Sequence, residues 1–176
     1  MIFKETKLQG AVIIELEMVI DERGAFARTF CRKDFEIHGL DGDISQCSIS
    51  LNTKKNTLRG MHYQKKPYAE AKLVRCSRGV IYDVIVDLRY NSSTFKQWTS
   101  VEISAENRKM VYIPEGFAHG FQTLTDDAEV IYQMSQFYSP NHADGFRWND
   151  PSFRIEWPSK NLVISLKDQN YPDFKA

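Results

Sequence analysis

Within residues 57–75, TLRGMHYQKKPYAEAKLVR, the strand-like parts outside the KKPYAE connection carry Arg59, His62, Lys72 and Arg75, which can take a proton or hold an anion. Apolar residues that read as strand surround them. One of only four histidines in the chain thus sits between an arginine and a lysine. That mix suits an anionic ligand with an ionisable carbon or oxygen beside it. Arg59 lies three residues before His62, so in a strand the two face opposite sides unless a bulge re-aims one. Gly60 is suited to such a bulge. The plainer reading of a lone strand histidine is a core side chain with its ring satisfied. The cations flanking His62 weigh against that.

A second group lies downstream. Residues 112–121, YIPEGFAHGF, contain the P-x-G-x-x-H pattern of a cupin, with His119 in the ligand place. A cupin metal site also needs a paired histidine earlier in the chain, and the matching triplet is His62-Tyr63-Gln64. That leaves two good nitrogen ligands, whereas zinc or iron typically takes three protein ligands. A metal is therefore not expected, and His119 is expected to bond a phosphate or a substrate oxygen. Tyr132 and Tyr138 are six apart, which puts both on one face of an unbroken strand. There they either pack in the core or serve as a general acid and a stacking surface. Asp83 and Asp87 share a face of the run 79–89, and Asp168 lies in SLKDQ. A carboxylate among apolar neighbours needs a partner. The residues alone leave open which of the three orients a histidine. Arg23 reads by itself as a surface arginine, with Arg28 on the same strand face as Phe26.

The elements that must carry these side chains are short and mostly strands. Strand patterns cover 11–20, 25–30, 45–52, 58–64, 71–77 and 79–89. They continue at 95–104, 110–114, 115–124 and 128–138, with loops rich in turn residues between them. Residues 32–38 suit a short helix closed by Gly39. No βαβ alternation and no glycine-rich phosphate loop appears. Strands at this spacing predict an all-β fold, an antiparallel jelly-roll (cupin-like) barrel with a few short helices. At 176 residues it is expected to form one domain, 1–176.

Charge and cysteines narrow the class. Lys plus Arg number 23 and Asp plus Glu 23, so no basic excess points to nucleic acid or to a membrane surface. Cysteines at 31, 47 and 76 are odd in number and lack C-x-x-C spacing, which suggests free thiols in a reducing compartment. The charged N-terminus does not read as a signal peptide, and no apolar run is long enough to span a bilayer. A cytoplasmic protein is expected.

Together the segments DERGAF, LRGMHYQ, AKLVRCSRGVIYDVIVDLR, YIPEGFAHGFQTL, IYQMSQFYSP and GFRWNDP resemble the dTDP-4-dehydrorhamnose 3,5-epimerase family, the RmlC-like cupins. The resemblance runs from about residue 11 to 170. It implies a metal-free, cofactor-free homodimer that inverts C3, C5 or both of a nucleoside-diphosphate 4-keto-6-deoxyhexose. It implies His62 as base, Tyr132 as acid and Lys72 as enolate stabiliser. Asp168 is implied as the partner of the base, with Asp83 as runner-up. Arg59 and Arg23 are implied at the phosphates, His119 at sugar or phosphate, and Tyr138 at the nucleobase. Gln46, Ser48, Arg28 and Lys167 join the implied substrate contacts, and Arg23 and Phe26 are expected to reach across the dimer.

Three departures from the family pattern fall among the nucleotide contacts: Ser48 for an asparagine, and Arg28 and Ala143 for glutamates. A carboxylate can accept from thymine N3–H, whereas an arginine can donate to cytosine N3. A CDP-linked sugar and a single inverted carbon are therefore the alternative. From other classes, a metal-dependent oxygenase or isomerase and a non-catalytic sugar-nucleotide binder are the rivals.

Overall fold

The computed structural model describes residues 1–175. In order the elements are β1 Ile2–Glu5, β2 Val12–Glu15, β3 Val19–Asp21, β4 Gly24–Phe26, α1 Arg32–Ile37, β5 Gln46–Asn52, β6 Thr57–Gln64, β7 Lys72–Arg78 and β8 Val80–Asp87. They continue with β9 Trp98–Ser104, β10 Met110–Ile113, β11 Phe117–Thr123, β12 Ala128–Met134, β13 Ala143–Gly145, β14 Val163–Ile164 and α2 Leu166–Gln169. One sheet has the order β1-β2-β10-β7-β12-β5. The other runs β13-β6-β11-β8-β9, with β14 parallel to β6 at its side. The hairpin β3-β4 belongs to neither. This is the jelly roll the strand spacing predicts.

Side-chain alternation builds the layers. Val74, Ile81, Ile85, Val111, Phe121 and Val130 meet between the two sheets. Ile14, Phe35, Leu73, Met110 and Tyr112 form a second cluster, which roofs part of the first sheet with α1. Met61, Val84, Val86, Phe146 and Phe153 form the third. β8 is apolar on both faces because it lies between β11 and β9 under both clusters. Its inward parity carries Ile81, Asp83, Ile85 and Asp87, so both aspartates are buried.

The sequence reading and the structure part in four places. The single strand over 11–20 is two strands, since β2 stops at Glu15 and Val19 opens the hairpin. The strand over 128–138 stops at Met134, so Tyr132 and Tyr138 do not share a strand face. The strand over 25–30 stops at Phe26, so Arg28 lies beyond it and shares no strand face with Phe26. Residues 166–169, to which the sequence reading assigns no element, are a helical turn whose Ser165 cap accepts from Asp168 N at 3.1 Å. That short cap places Asp168, and a four-residue turn leaves no periodicity to read.

Gly60 provides the bulge. The β6–β11 register shifts between His119 and Phe121, and Gly60 has φ +135. A Cβ on Gly60 would lie 2.6 Å from the Gly120 Cα. The chains can approach this closely only because neither residue carries a side chain. The shift breaks strict alternation, so Arg59 and His62 line the same cavity.

Candidate active site

Two adjoining cavities of about 610 and about 380 Å³ open among β5, β6, β7 and β12, and they share His62, Lys72 and Tyr132. The larger adds Gln46, Ser48, Tyr138 and Lys167; the smaller adds Arg59 and His119. Chemistry thus sits where two spaces meet. One space has the shape for a ligand's body and the other is lined by a cation and an imidazole.

His62 comes from β6 and Asp168 from α2. Their Nε2 and Oδ1 atoms are 2.8 Å apart. The second carboxylate oxygen of Asp168 accepts from Gly60 N at 3.4 Å. Burial pushes the Asp168 carboxyl up. The His62 hydrogen bond and charge, the Gly60 N–H and the Lys167 charge together outweigh it and hold the group below the usual carboxylate range. The ionised carboxylate can only accept, so Nε2 of His62 carries a proton, and in the neutral imidazole the lone pair is on Nδ1. That is the tautomer of a base.

His119 forms a parallel dyad with Asp83, Nε2 to Oδ2 at 2.7 Å, almost wholly buried. Asp83 is therefore not the partner of His62. β8 pairs with β11 and not with β6, so its carboxylate meets the histidine of the strand beside it. The other oxygen of Asp83 is buried with no hydrogen-bond partner. Its charge is felt by Tyr132. Burial first, and Asp83 second, push the Tyr132 phenol well above its usual pKa, with Arg59 opposing. Tyr132 stays protonated at any working pH, and its ring lies edge-on to His119 with centroids 6.0 Å apart. Both histidines meet a carboxylate through Nε2. Among the described residues no three His, Cys, Asp or Glu side chains gather as a metal site requires.

Lys72 projects from β7, with Nζ 3.1 Å from Glu70 Oε1. Arg59 Nε donates to Asn52 Oδ1 at 2.8 Å, which fixes the guanidinium from β5. Gln46 accepts from the backbone N–H of Tyr138 and so holds that tyrosine's loop against β5. Tyr138 lines the larger cavity although it lies beyond the strand. Lys167 lines the same cavity, its ammonium held above the usual range by the Tyr171 hydroxyl beside it.

Of the residues singled out from sequence, five are not brought to the site within one chain. Arg75 lines a separate cavity beside Cys76 and Arg108, and Asp87 pairs with Arg89. Arg23 and Phe26 sit on the exposed hairpin, where Arg23 pairs with Asp21, and Arg28 follows it; none lines either cavity. The sequence reading also missed residues that the structure brings in. Asn52 anchors Arg59, Glu70 and Gln64 sit beside Lys72, and Tyr171 stands 5.8 Å from the His62 ring. Glu70 had a usable signal, since residues two apart share a face of an extended chain and Lys72 lies two on. Tyr171, in the irregular tail, had none.

The family model described as dTDP-4-dehydrorhamnose 3,5-epimerase matches residues 5–176. The chain is 46% identical over 173 residues to the dTDP-4-dehydrorhamnose 3,5-epimerase of Methanothermobacter thermautotrophicus, covering 96% of this chain and 92% of that one. A crystal structure of the Bacillus anthracis enzyme with TDP and PPi bound superposes with TM-score 0.94 at 39% identity, covering 98% of each chain. The Legionella pneumophila enzyme in complex with dTDP-4-keto-L-rhamnose superposes with TM-score 0.89 at 34% identity, covering 99% and 98%.

Proposed function

The chain belongs to the dTDP-4-dehydrorhamnose 3,5-epimerase family, and from that premise we propose how its own residues carry out the epimerisation. It is an isomerase acting on a nucleoside-diphosphate 4-keto-6-deoxyhexose. The relatives' names, and the TDP in one of their structures, favour thymidine over cytidine as the nucleoside.

C3 and C5 both flank the C4 ketone, so removing a proton from either gives an enolate and one base serves both. His62 is that base. Asp168 holds its tautomer and stabilises the imidazolium once Nδ1 has taken the proton. Negative charge gathers on O4, where Lys72 favours the enolate over the neutral ketone. Tyr132 returns a proton to the opposite face. A phenol kept protonated arrives with the proton it must deliver, and an enolate carbon is basic enough to take it. Arg59, held by Asn52, and His119 bind phosphate or sugar oxygens, and Tyr138 stacks on the base. The observation that carries this reading is the convergence of His62, Lys72 and Tyr132 on both cavities.

The functional form is a homodimer. Val19, Ile20 and Phe26 on the free hairpin are each more than two-thirds exposed, and Ile49 and Leu51 on the edge strand β5 are more than half exposed. Apolar side chains presented this way call for cover by another surface. A second copy would supply it and bring Arg23 and Phe26 to its neighbour's site.

The decisive experiment is NMR of the dTDP-4-keto-6-deoxy sugar in deuterated water with the purified protein. Deuterium entry with inversion at C3, C5 or both supports the reading. Tight dTDP binding with no exchange at either carbon would leave a binding module instead.

A further inference from the structure

The cation assigned to the enolate does not stand alone. Lys72 Nζ and Glu70 Oε1 are 3.1 Å apart, and both side chains are 12% exposed. The other Glu70 oxygen accepts from Gln64 Nε2 at 3.3 Å. Gln64 is buried and commits its amide further to backbone. Its two amide hydrogens are shared between Glu70 and the carbonyls of Tyr68 at 2.9 Å and Phe137 at 3.2 Å, and its Oε1 accepts from Ser139 N at 2.7 Å. Glu70 and Gln64 both line the larger cavity beside Lys72. A continuous set of polar contacts therefore runs from the chain flanking Tyr138 to the ammonium.

A carboxylate at this place offsets part of the positive potential that Lys72 offers to O4. Stability is a weak reason for it, because a largely desolvated ion pair seldom repays its desolvation. Geometry is a better one. A lysine side chain carries rotamer entropy that a free ammonium would give up in the transition state. With one N–H directed at Glu70, the other two remain for the substrate oxygen and the side chain is already in place. We propose that Glu70 is a positioning residue that holds the Lys72 ammonium where charge develops on O4, and that Gln64 holds Glu70. This rests on the role given to Lys72 above.

Glu70→Met, which keeps side-chain length without an acceptor, and Glu70→Gln, which keeps an oxygen for the ammonium, test it. Each is made in the wild type and in Lys72→Met. The readouts are sugar C–H exchange in deuterated water, kcat and KM for the keto sugar, and dTDP affinity by calorimetry. Glu70→Met is expected to lower kcat and exchange about 10- to 100-fold, the scale of a small misplacement of a catalytic group. KM and dTDP affinity should stay within about twofold, and Glu70→Gln should lose less. In Lys72→Met, Glu70→Met should cost nothing more, because its effect passes through the lysine. Wild-type kcat in Glu70→Met overturns the proposal. So does a further loss in the Lys72→Met background, which would mean that Glu70 acts independently. Wild-type exchange in Lys72→Met alone overturns the role of the lysine itself, a separate and recognisable result.

Discussion

At the scale of single residues the site separates three tasks: taking a proton, holding a charge and giving a proton back. His62→Ala removes the base and should abolish exchange at both sugar carbons in deuterated water, a loss of at least about 100-fold. Tyr132→Phe should behave differently. The base still removes and returns the proton on its own face, so exchange persists while inversion falls; equal loss of both would show that the phenol does more than return a proton. Asp168 carries a pH signature as well. Its folded pKa lies below the usual carboxylate range. A depressed carboxylate pKa contributes stability that is present above the unfolded value and lost as pH falls through the folded one. Asp168→Asn should therefore lower thermal stability most at neutral pH and least below about pH 4, where the wild type has already lost this contribution, so the acid limb of the profile flattens. It should also lower kcat about 100-fold at neutral pH, because an amide can present its N–H to Nε2 and favour the wrong tautomer. His62 stood out in the sequence because histidines are few, whereas Lys72 and Tyr132 took their roles from the family resemblance. Choosing Asp168 over Asp83 was not, since it needed to be known which strand lies beside β6.

At the scale of elements, the site depends on one irregularity. A regular β6 would put Arg59 and His62 on opposite sides, and the closeness of Gly60 to Gly120 is what permits the shift. Gly60→Ala puts a Cβ 2.6 Å from backbone, which no side-chain rotation relieves, at a φ of +135 that an L-residue rarely adopts. The expected cost is about 1–3 kcal/mol in chemical denaturation. Activity should fall with it even where the variant is folded, because the Gly60 N–H to Asp168 and the aim of His62 move together. A folded Gly60→Ala with wild-type kcat would count against the bulge as the device that aims His62. The bulge was legible as an odd spacing with a glycine inside it. The early end of β12 was not. QMSQFY keeps a strand-like composition past Met134, and the chain leaves the sheet there because Gln46 and Gln64 take its backbone groups. Propensity is overridden by two side-chain amides that lie far away in sequence, Gln64 buried and Gln46 part-exposed.

At the scale of the whole molecule, the architecture was legible from strand spacing and the absence of a βαβ pattern, while the assembly is written in what one chain leaves unused. Arg23 and Phe26 line neither cavity of their own chain and sit on a hairpin that belongs to neither sheet. If each hairpin serves its neighbour, a defect in the hairpin and a defect in the base can be separated between subunits. Arg23→Ala combined with Phe26→Ala should weaken substrate binding, with KM rising about 10-fold or more for the loss of a phosphate contact and an apolar contact. His62→Ala should be inactive. A heterodimer of the two has one site with both defects. Its other site has an intact His62 and an intact hairpin from the His62→Ala chain. Denaturing and refolding an equal mixture should then restore, at substrate concentrations where neither parent works, about one quarter of wild-type activity per subunit. Half of the dimers are mixed and each has one good site of two. A hairpin folding back on its own chain predicts no restoration at all, because every site would still lack either its base or its clamp. Rate recovery that grows with the mixed fraction, followed by separating tagged heterodimers, therefore decides between the two arrangements without a crystal of the complex.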